Sequence, residues 1–259
     1  IEVQVLGDGR DAIHLFEREC SLQRRRQKIM EEAPSPSLTP ALRDMLCASA
    51  TRLARQVGYR SAGTLEYLFD ETRGEFYFIE MNTRIQVEHP VTEAITGIDL
   101  VRETLRIADG EPLRLQQHDV AMRGAAIECR INAEDPAQDF RPSPGRIDEL
   151  VWPTGPGVRV DSMLYQGYTV PPFYDSLLAK LIVFDESRPA ALARLGRALS
   201  ELHVAGVKTT APLHRALLAD DAVRAGRYHT NYLEAWLSAR RAQLAAPSEP
   251  APAAREEAA

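Results

Sequence analysis

The chain has 259 residues, of which 44% are hydrophobic and 26% are charged, and its net charge at pH 7 is −6. This composition is typical of a globular protein with one or two domains, and the acidic balance gives no general attraction to nucleic acid or to anionic lipid. The longest apolar runs are too short to cross a bilayer, and the 3 cysteines form no Cys-x-x-Cys pair. We therefore expect no membrane span and no zinc site, and we expect reduced thiols in the cytoplasm.

The N-terminal part of the chain predicts two paired strands, a helix, a hairpin and a second helix. Apolar and polar residues alternate in Ile1–Leu6 up to a glycine-containing turn, which predicts a strand that returns over Ala12–Phe16. Thr39 and Pro40 are typical of a helix start, and Gly58 of its end. The helix face expected to be buried consists of Leu42, Met45, Leu46, Leu53 and Val57. The elements that follow are strands over 64–70 and 75–81 and a helix over Asp99–Ala108.

A domain boundary is predicted between Glu111 and His118, which divides the chain into domains 1–116 and 117–237. The second domain is expected to contain short strands, over 124–130, 145–151, 157–161 and 177–184, with a proline-punctuated loop over 136–144. Ser187 is expected to cap a helix whose apolar stripe is Leu192, Leu195, Leu199 and Leu202. Two further helices are predicted, over 211–218 and 232–237, and residues 238–259 predict a disordered tail or linker rich in alanine and proline.

Three oxygen-bearing side chains are predicted to meet on the 64–70 and 75–81 hairpin. Glu80 and Asn82 are two residues apart and therefore point to one face of their strand, and an odd-length turn would place Glu66 opposite Glu80. Two carboxylates ~4 Å apart repel each other by about 4 kcal/mol at an effective dielectric constant of 20. Because Leu68, Phe76 and Phe78 are apolar, we expect this face to be buried and the acid pair to need a cation. Oxygen ligands favour Mg²⁺ or Mn²⁺.

The residues after this hairpin are suited to holding an oxyanion. Arg84, Gln86 and Glu88 alternate along a short loop, and an arginine fork with a glutamine donor suits a planar anion such as bicarbonate. Glu88 alone would be better explained as an acid that stabilises the start of the helix after Pro90. With Arg84 and Gln86 beside it, it becomes a candidate general base.

A cluster of cations, Arg24, Arg25, Arg26 and Lys28, lies upstream between Gln23 and Glu31. Such a cluster is compatible with a nucleic-acid patch, but the acidic chain and the adjacent glutamates oppose that interpretation. We expect these cations to lie beside the metal site and to bind phosphate or carboxyphosphate.

Four sequence strings together resemble biotin carboxylase, an ATP-grasp ligase. They are QRRRQKIMEEAP over 23–34, EMNTRIQVEHP over 80–90, ECRINAEDP over 128–136 and GYTVPPFYDS over 167–176. The likeness runs from Ile1 to about Leu237 and corresponds to the C-terminal half of such an enzyme. It implies an α+β fold, in which the C-terminal part of an ATP-grasp domain (an antiparallel sheet with helices) is followed by the biotin carboxylase C-terminal domain.

The resemblance also implies roles for individual residues. Glu66 and Glu80, with Asn82 beside them, would bind the metal that bridges ATP phosphates, and two ions are expected. Bicarbonate would be held by Lys28, Arg84, Gln86, the Val87 main chain and Glu88, and Glu88 would take its proton. Arg130 would stabilise the enolate of biotin, although a structural pair with Glu128 or Glu134 is an alternative. Gln23 and Arg26 would lie near the nucleotide, Arg26 at a position where the family often has histidine.

The implied reaction is ATP- and bicarbonate-dependent carboxylation of biotin on a carrier, the first step of acetyl-CoA carboxylase (in fatty acid biosynthesis) or of a related acyl-CoA, pyruvate or urea carboxylase. The alternative is a non-catalytic remnant or assembly module. The chain has no glycine-rich phosphate loop and no Met-Lys biotin attachment site. We therefore expect the 259 residues alone to be inactive and biotin to arrive on another domain or protein. A carrier, a carboxyltransferase and a homodimer partner through Arg159 are implied, and Asp175 and Lys180 are expected to form a structural pair.

Overall fold

The structure is a computed structural model that describes residues 1–244, with side chains described up to Arg240. The first strands are β1 (Glu2–Asp8), β2 (Ala12–Arg24), β3 (Gln27–Ala33), β4 (Arg60–Asp70), β5 (Glu75–Asn82), β6 (Ala125–Asn132) and β7 (Glu134–Asp135). The later strands are β8 (Arg141–Pro142), β9 (Gly145–Arg146), β10 (Glu149–Val151), β11 (Val158–Ser162), β12 (Thr169–Val170), β13 (Leu177–Asp185) and β14 (His203–Ala205). The helices are α1 (Pro40–Gln56), α2 (His89–Thr96), α3 (Leu100–Ala108), α4 (Arg188–Glu201), α5 (Ala211–Leu218), α6 (Asp221–Arg224) and α7 (Tyr232–Leu244).

An eight-stranded sheet in the order β11-β13-β6-β3-β2-β1-β4-β5 organises the molecule. Its neighbouring strands all pair antiparallel, and helices pack against it, so the α+β class with an antiparallel sheet is confirmed. The sheet crosses the boundary predicted near residue 116, because β3 pairs with β6 through Met30↔Cys129 and Glu31↔Glu128. The segments before and after that boundary therefore share one hydrogen-bonded sheet.

The hairpin of β2 and β3 was not predicted. β2 continues to Arg24 instead of ending near Phe16, and β3 occupies the cation-containing motif. The turn between them places Arg25 and Arg26 at φ values of 49° and 66°. Such left-handed turns are usually signalled by glycine or asparagine, so two arginines gave no turn signal.

Helix α1 begins after Thr39, whose side chain accepts from the Leu42 amide, as predicted. Its predicted buried face is only partly right, because Met45 and Val57 are each 61% exposed. The residues that α1 buries are Leu46, Cys47, Ala50, Thr51 and Ala54. Most of these side chains are small, which allows the helix to pack closely on the sheet.

Helix α4 begins after the predicted cap Ser187 and buries Leu195 and Leu199 against the C-terminal part of the sheet. Helix α7 continues to Leu244, so the first residues of the predicted tail are helical, and 245–259 lie outside the described residues. Asp220 anchors α7 by accepting from Trp236 Nε1 at 2.9 Å and from Tyr232 Oη at 2.5 Å. Among the described residues, no helix is both long and apolar enough to span a membrane.

Candidate functional site

The three predicted metal ligands come together at the edge of the sheet. Glu66 on β4 pairs directly with Glu80 on β5, as predicted, and Thr64 pairs with Asn82. The turn has four residues, so a register shift between Glu66 and Tyr67, and not an odd-length turn, brings the two glutamates opposite each other. Asn82 Nδ2 donates to Glu66 Oε1 at 2.7 Å. The side chain of Glu80 makes no hydrogen bond or ion pair with residues 1–240.

The expectation that this face is buried is wrong. Leu68 is 53% exposed, and Phe76 and Phe78 contact the Tyr67 ring on the opposite face, because the register shift between Glu66 and Tyr67 reverses the alternation of β5. The case for a cation therefore depends on the donor set and not on burial. Two carboxylates and an amide are oxygen ligands that suit Mg²⁺ or Mn²⁺, and the unpaired Glu80 carboxylate is open to such an ion.

A fully buried arginine, Arg18 on β2, organises the loop that follows β5. Its guanidinium donates to Gln86 Oε1 at 2.8 Å and to Thr92 Oγ1 at 3.0 Å. It donates as well to Gln4 Oε1 at 2.7 Å and to Thr64 Oγ1 at 3.0 Å, and it pairs with Glu2. Because the arginine side chain has only donors, Arg18 fixes the Gln86 amide with the amide oxygen facing the guanidinium. The Gln86 nitrogen, Nε2, then donates to Glu66 Oε1 at 3.1 Å.

Glu88 lies between two cations from different strands. Its Oε1 accepts from Lys28 Nζ at 2.5 Å, and its Oε2 accepts from Arg130 Nη2 at 2.9 Å. Although burial opposes it, the charges of Lys28, Arg18 and Arg130 hold the pKa of the Glu88 carboxyl well below its ordinary value. Glu88 precedes α2 without capping it through its side chain, so the helix-start explanation does not account for this contact.

The two cations each contact a second carboxylate. Lys28 also donates to Glu2 and lies 3.8 Å from Glu66 Oε1, whereas Arg130 also binds Glu31. The predicted alternative partners of Arg130, Glu128 and Glu134, do not bind its guanidinium. The result is a chain of alternating charges that links the hairpin of β4 and β5 to β6.

Arg84 and Val87 occupy the ends of the same loop. Arg84 is exposed, and within residues 1–240 its guanidinium donates to the neighbouring Ile85 carbonyl alone, at 3.2 Å. The carbonyl of Val87 accepts from Lys180 Nζ at 3.0 Å. The predicted Asp175–Lys180 pair is therefore wrong, since Lys180 instead binds this loop and lies 3.5 Å from Asp161.

The prediction that the whole cation cluster lies beside the metal site is also wrong. Arg24 and Arg25 turn toward the C-terminal part of the chain and pair with Asp139 at 2.8 and 3.2 Å. Arg26 is exposed in the turn between β2 and β3. Gln23 and Lys28 do face the site, where with Glu66 and Tyr228 they line a cavity of about 450 Å³.

Several charged and polar residues of the site were missed because they lie within strands. Glu2, Gln4 and Arg18 are between 0% and 3% exposed, and Glu31 and Glu128 are fully buried. The alternation in β1 places Glu2 and Gln4 on what would be a solvent face, but both faces of that strand are covered. A single sequence contains no local signal for this arrangement.

Comparison with known proteins adds independent information. Residues 1–116 match the family model for the ATP binding domain of the carbamoyl-phosphate synthase L chain, and residues 128–235 match that for the biotin carboxylase C-terminal domain. A pyruvate carboxylase subunit from Methanothermobacter thermautotrophicus is 54% identical over 235 residues, 90% of this chain and 48% of that protein. Biotin carboxylase of Pseudomonas aeruginosa is also 54% identical over 235 residues, 90% of this chain and 52% of that protein.

Solved structures show the same similarity. The biotin carboxylase domain dimer of Hydrogenobacter thermophilus 2-oxoglutarate carboxylase, in complex with MgADP, ADP and bicarbonate, superposes with a TM-score of 0.90 at 48% identity. The alignment covers 96% of this chain and 54% of that one. The multifunctional pyruvate carboxylase of Rhizobium etli gives a TM-score of 0.88 at 40% identity, over 90% of this chain and 24% of that one. The chain spans about half the length of the curated relatives it matches.

Proposed function

The chain belongs to the biotin carboxylase family, and from that premise we propose that it supplies the metal-, bicarbonate- and biotin-binding half of an ATP-dependent biotin carboxylase. The proposed reaction is carboxylation of biotin on a carrier by way of carboxyphosphate. The observation that carries the proposal is the position of Glu88. It is a buried carboxylate held between Lys28 and Arg130, beside an oxygen-rich hairpin suited to a phosphate-bound cation.

The bicarbonate step follows from the charges around Glu88. A bicarbonate ion that enters would be bound by Lys28, Arg84, the amide nitrogen of Gln86 and the main chain of Val87. The ion would share these cations with Glu88, which weakens their hold on its carboxylate and raises its pKa toward the range in which it accepts a proton. The deprotonated bicarbonate oxygen would then attack the γ-phosphorus of ATP, forming carboxyphosphate as the bond to ADP breaks.

The metal and nucleotide sites lie next to that anion site. Glu66 and Glu80, with Asn82 beside them, would hold Mg²⁺ or Mn²⁺, with two ions proposed. When bound, these ions would neutralise charge on the transferred phosphoryl group. The cavity lined by Gln23 and Lys28 supports nucleotide binding on this side. Arg26, which is exposed in the turn, would contact nucleotide only at the rim of the site.

Arg130 is proposed to act in the biotin step. Carboxyphosphate would break down to CO₂ and phosphate, the phosphate would take the proton of the biotin ureido nitrogen, and that nitrogen would bond to the CO₂ carbon. The negative charge that develops on the ureido oxygen would be stabilised by the Arg130 guanidinium.

The wider setting is also a proposal. We propose a carrier domain or protein for biotin, a carboxyltransferase component and a homodimer contact through Arg159. We propose a cytoplasmic location, which is supported by three buried, free cysteines, and a role in fatty acid biosynthesis or a related pathway. The division into domains 1–116 and 117–237 is retained as a proposal.

The test is bicarbonate-dependent ATP cleavage and carboxylation of free biotin by the full-length gene product with Mg²⁺. Glu88→Gln is expected to lower both rates by about 100-fold or more, since a positioned general base contributes roughly 10²–10⁴-fold. Arg130→Ala is expected to lower biotin carboxylation more than ATP cleavage. A full-length gene product that folds and binds metal but cleaves no ATP would instead indicate the alternative, a non-catalytic remnant or assembly module.

A further inference from the structure

A second buried acid, Glu31 on β3, binds one edge of the Arg130 guanidinium. Arg130 Nε donates to Glu31 Oε1 at 2.7 Å, and Nη2 lies 2.5 Å from the same oxygen. Glu88 accepts from Nη2 on the other side. The remaining nitrogen, Nη1, makes no hydrogen bond with the described residues and keeps contact with solvent. Two N–H donors are therefore left for an incoming oxygen.

The burial of Glu31 is compensated mainly by its contact with Arg130. It is 0% exposed, and its second oxygen makes no hydrogen bond. Glu128 lies opposite it across the β3–β6 ladder, is also 0% exposed, and has neither oxygen bonded. A buried acid without satisfied oxygens destabilises a fold. Among the described residues, the ion pair that offsets this cost for Glu31 is the one with Arg130.

Burial and the charge of Glu88 raise the pKa of Glu31, and burial together with Glu31 raises that of Glu128. Arg130 lies against Glu31 and draws the ionised form to it. The backbone of Arg130 is fixed separately, because its carbonyl accepts from Thr210 Oγ1 at 2.8 Å and lies 2.9 Å from His214 Nε2.

We propose that Glu31 is a positioning residue that holds Arg130 in place while Glu88 changes its charge during the reaction. This inference rests on the proposed function. When Glu88 accepts the proton of bicarbonate, it becomes neutral and its attraction for Arg130 falls. The contact with Glu31 persists at that stage and keeps Nη1 directed at the site where the biotin oxygen becomes negative. Without Glu31, the guanidinium would be held by Glu88 alone and released as Glu88 is protonated.

The proposal separates the two steps of the reaction. Bicarbonate-dependent ATP cleavage in the absence of biotin requires Glu88 but not a fixed Arg130. Carboxylation of biotin requires both. A residue that only supports the fold would affect the two steps together.

The experiment uses the full-length gene product and compares Glu31→Gln with Glu32→Gln. Glu32 is the next residue on the same strand, is 4% exposed, and pairs with Arg188 at 2.6 Å on the opposite face. Glu31→Gln is expected to lower kcat for biotin carboxylation by roughly 10- to 100-fold, the range for loss of a charge-assisted hydrogen bond. ATP cleavage without biotin is expected to stay within about threefold, and Glu32→Gln is expected to leave the ratio of the two rates unchanged.

A double-variant comparison tests whether Glu31 acts through Arg130. In an Arg130→Ala background, Glu31→Gln is expected to lower biotin carboxylation by less than about twofold further. If Glu31→Gln does not fold, Glu31→Asp takes its place, because it keeps the charge with a shorter reach and should still affect the biotin step alone.

The outcomes are distinguishable. Equal losses of ATP cleavage and biotin carboxylation, additive effects in the double variant, or a Glu32→Gln variant that behaves like Glu31→Gln would overturn the inference and leave the proposed function standing. A wild-type protein that carboxylates no biotin would overturn both.

Discussion

Replacement of Arg18 by methionine tests how much of the site depends on one buried guanidinium. Arg18 is 0% exposed, donates to the four neutral acceptors already described, and pairs with Glu2 at 3.4 Å. Breaking a buried ion pair by removing one partner destabilises a protein by about 3–5 kcal/mol. Glu2 retains Lys28, which reduces this term, whereas the buried oxygens of Gln4 and Gln86 lose a donor, at about 1–3 kcal/mol each.

Relief of the desolvated guanidinium offsets part of the loss, so we expect Arg18→Met to lower the free energy of unfolding by about 3–5 kcal/mol. At roughly 2–4 °C per kcal/mol, the melting temperature should fall by about 6–20 °C. The Gln86 amide also loses the contact that fixes its orientation. We therefore expect the KM for bicarbonate to rise about tenfold in the full-length protein, with the KM for ATP changed less than about twofold.

Arg43→Met is the matched control, because Arg43 pairs with the fully buried Glu17 at 2.7 Å and does not contact the loop after β5. Chemical denaturation gives the stability of each variant, and initial rates at varied bicarbonate give KM. A stability loss under about 1 kcal/mol for Arg18→Met would refute the energetic argument. A bicarbonate KM raised equally by both variants would refute the positioning argument.

Two further predictions concern Lys180 and His214. Lys180→Met removes the donor to the Val87 carbonyl, so steady-state kinetics should show a bicarbonate KM about tenfold higher. Lys208 is exposed, and the control variant Lys208→Met should change this KM by less than about twofold. Equal effects of the two variants would contradict the role of Lys180. Burial lowers the pKa of His214 from 6.5 to about 4. Between these two pH values the unfolded chain binds a proton at His214 that the folded chain does not bind. The free energy of unfolding should therefore fall as pH drops from 6.5 toward 4, by up to about 3 kcal/mol. Urea denaturation from pH 7 to 4 should show a shallower fall for His214→Gln than for wild type, and an unchanged slope would contradict this. His14 and His89, whose pKa values are also lowered by burial, should contribute to the fall that remains.

Much of the fold could be predicted from local sequence because its signals are local. Thr39 and Ser187 stand at the starts of two helices as expected, and the helix predicted over Asp99–Ala108 begins one residue later, after Asp99. Each of the three residues caps its helix through a side-chain oxygen that accepts a backbone N–H. The hairpin of β4 and β5 was also predicted, although the pairing of Glu66 with Glu80 arises from a register shift next to Glu66 and not from an odd-length turn. These features depend on residues that are near each other in the chain.

The rest of the site depends on contacts between distant residues. Arg18 and Gln86 are 68 positions apart, and Arg130 and Glu31 are 99 positions apart. Charged residues inside strands look like a solvent face in sequence, and only the order of strands in the sheet reveals that they are buried. The exposure of Phe78 was missed for the converse reason, since an apolar residue on a strand gives no indication that the strand lies at an edge.

The junction between β3 and β6 has a consequence for how the two matched segments behave when separated. Residues 1–116 contribute β3 and residues 128–235 contribute most of β6, and the backbone groups of these two strands pair with each other. Expression of either segment alone would expose the edge of β3 or of β6, whose unpaired N–H and C=O groups can template pairing with another chain. We therefore expect the two segments to aggregate when they are produced separately, and not to fold as two independently stable domains.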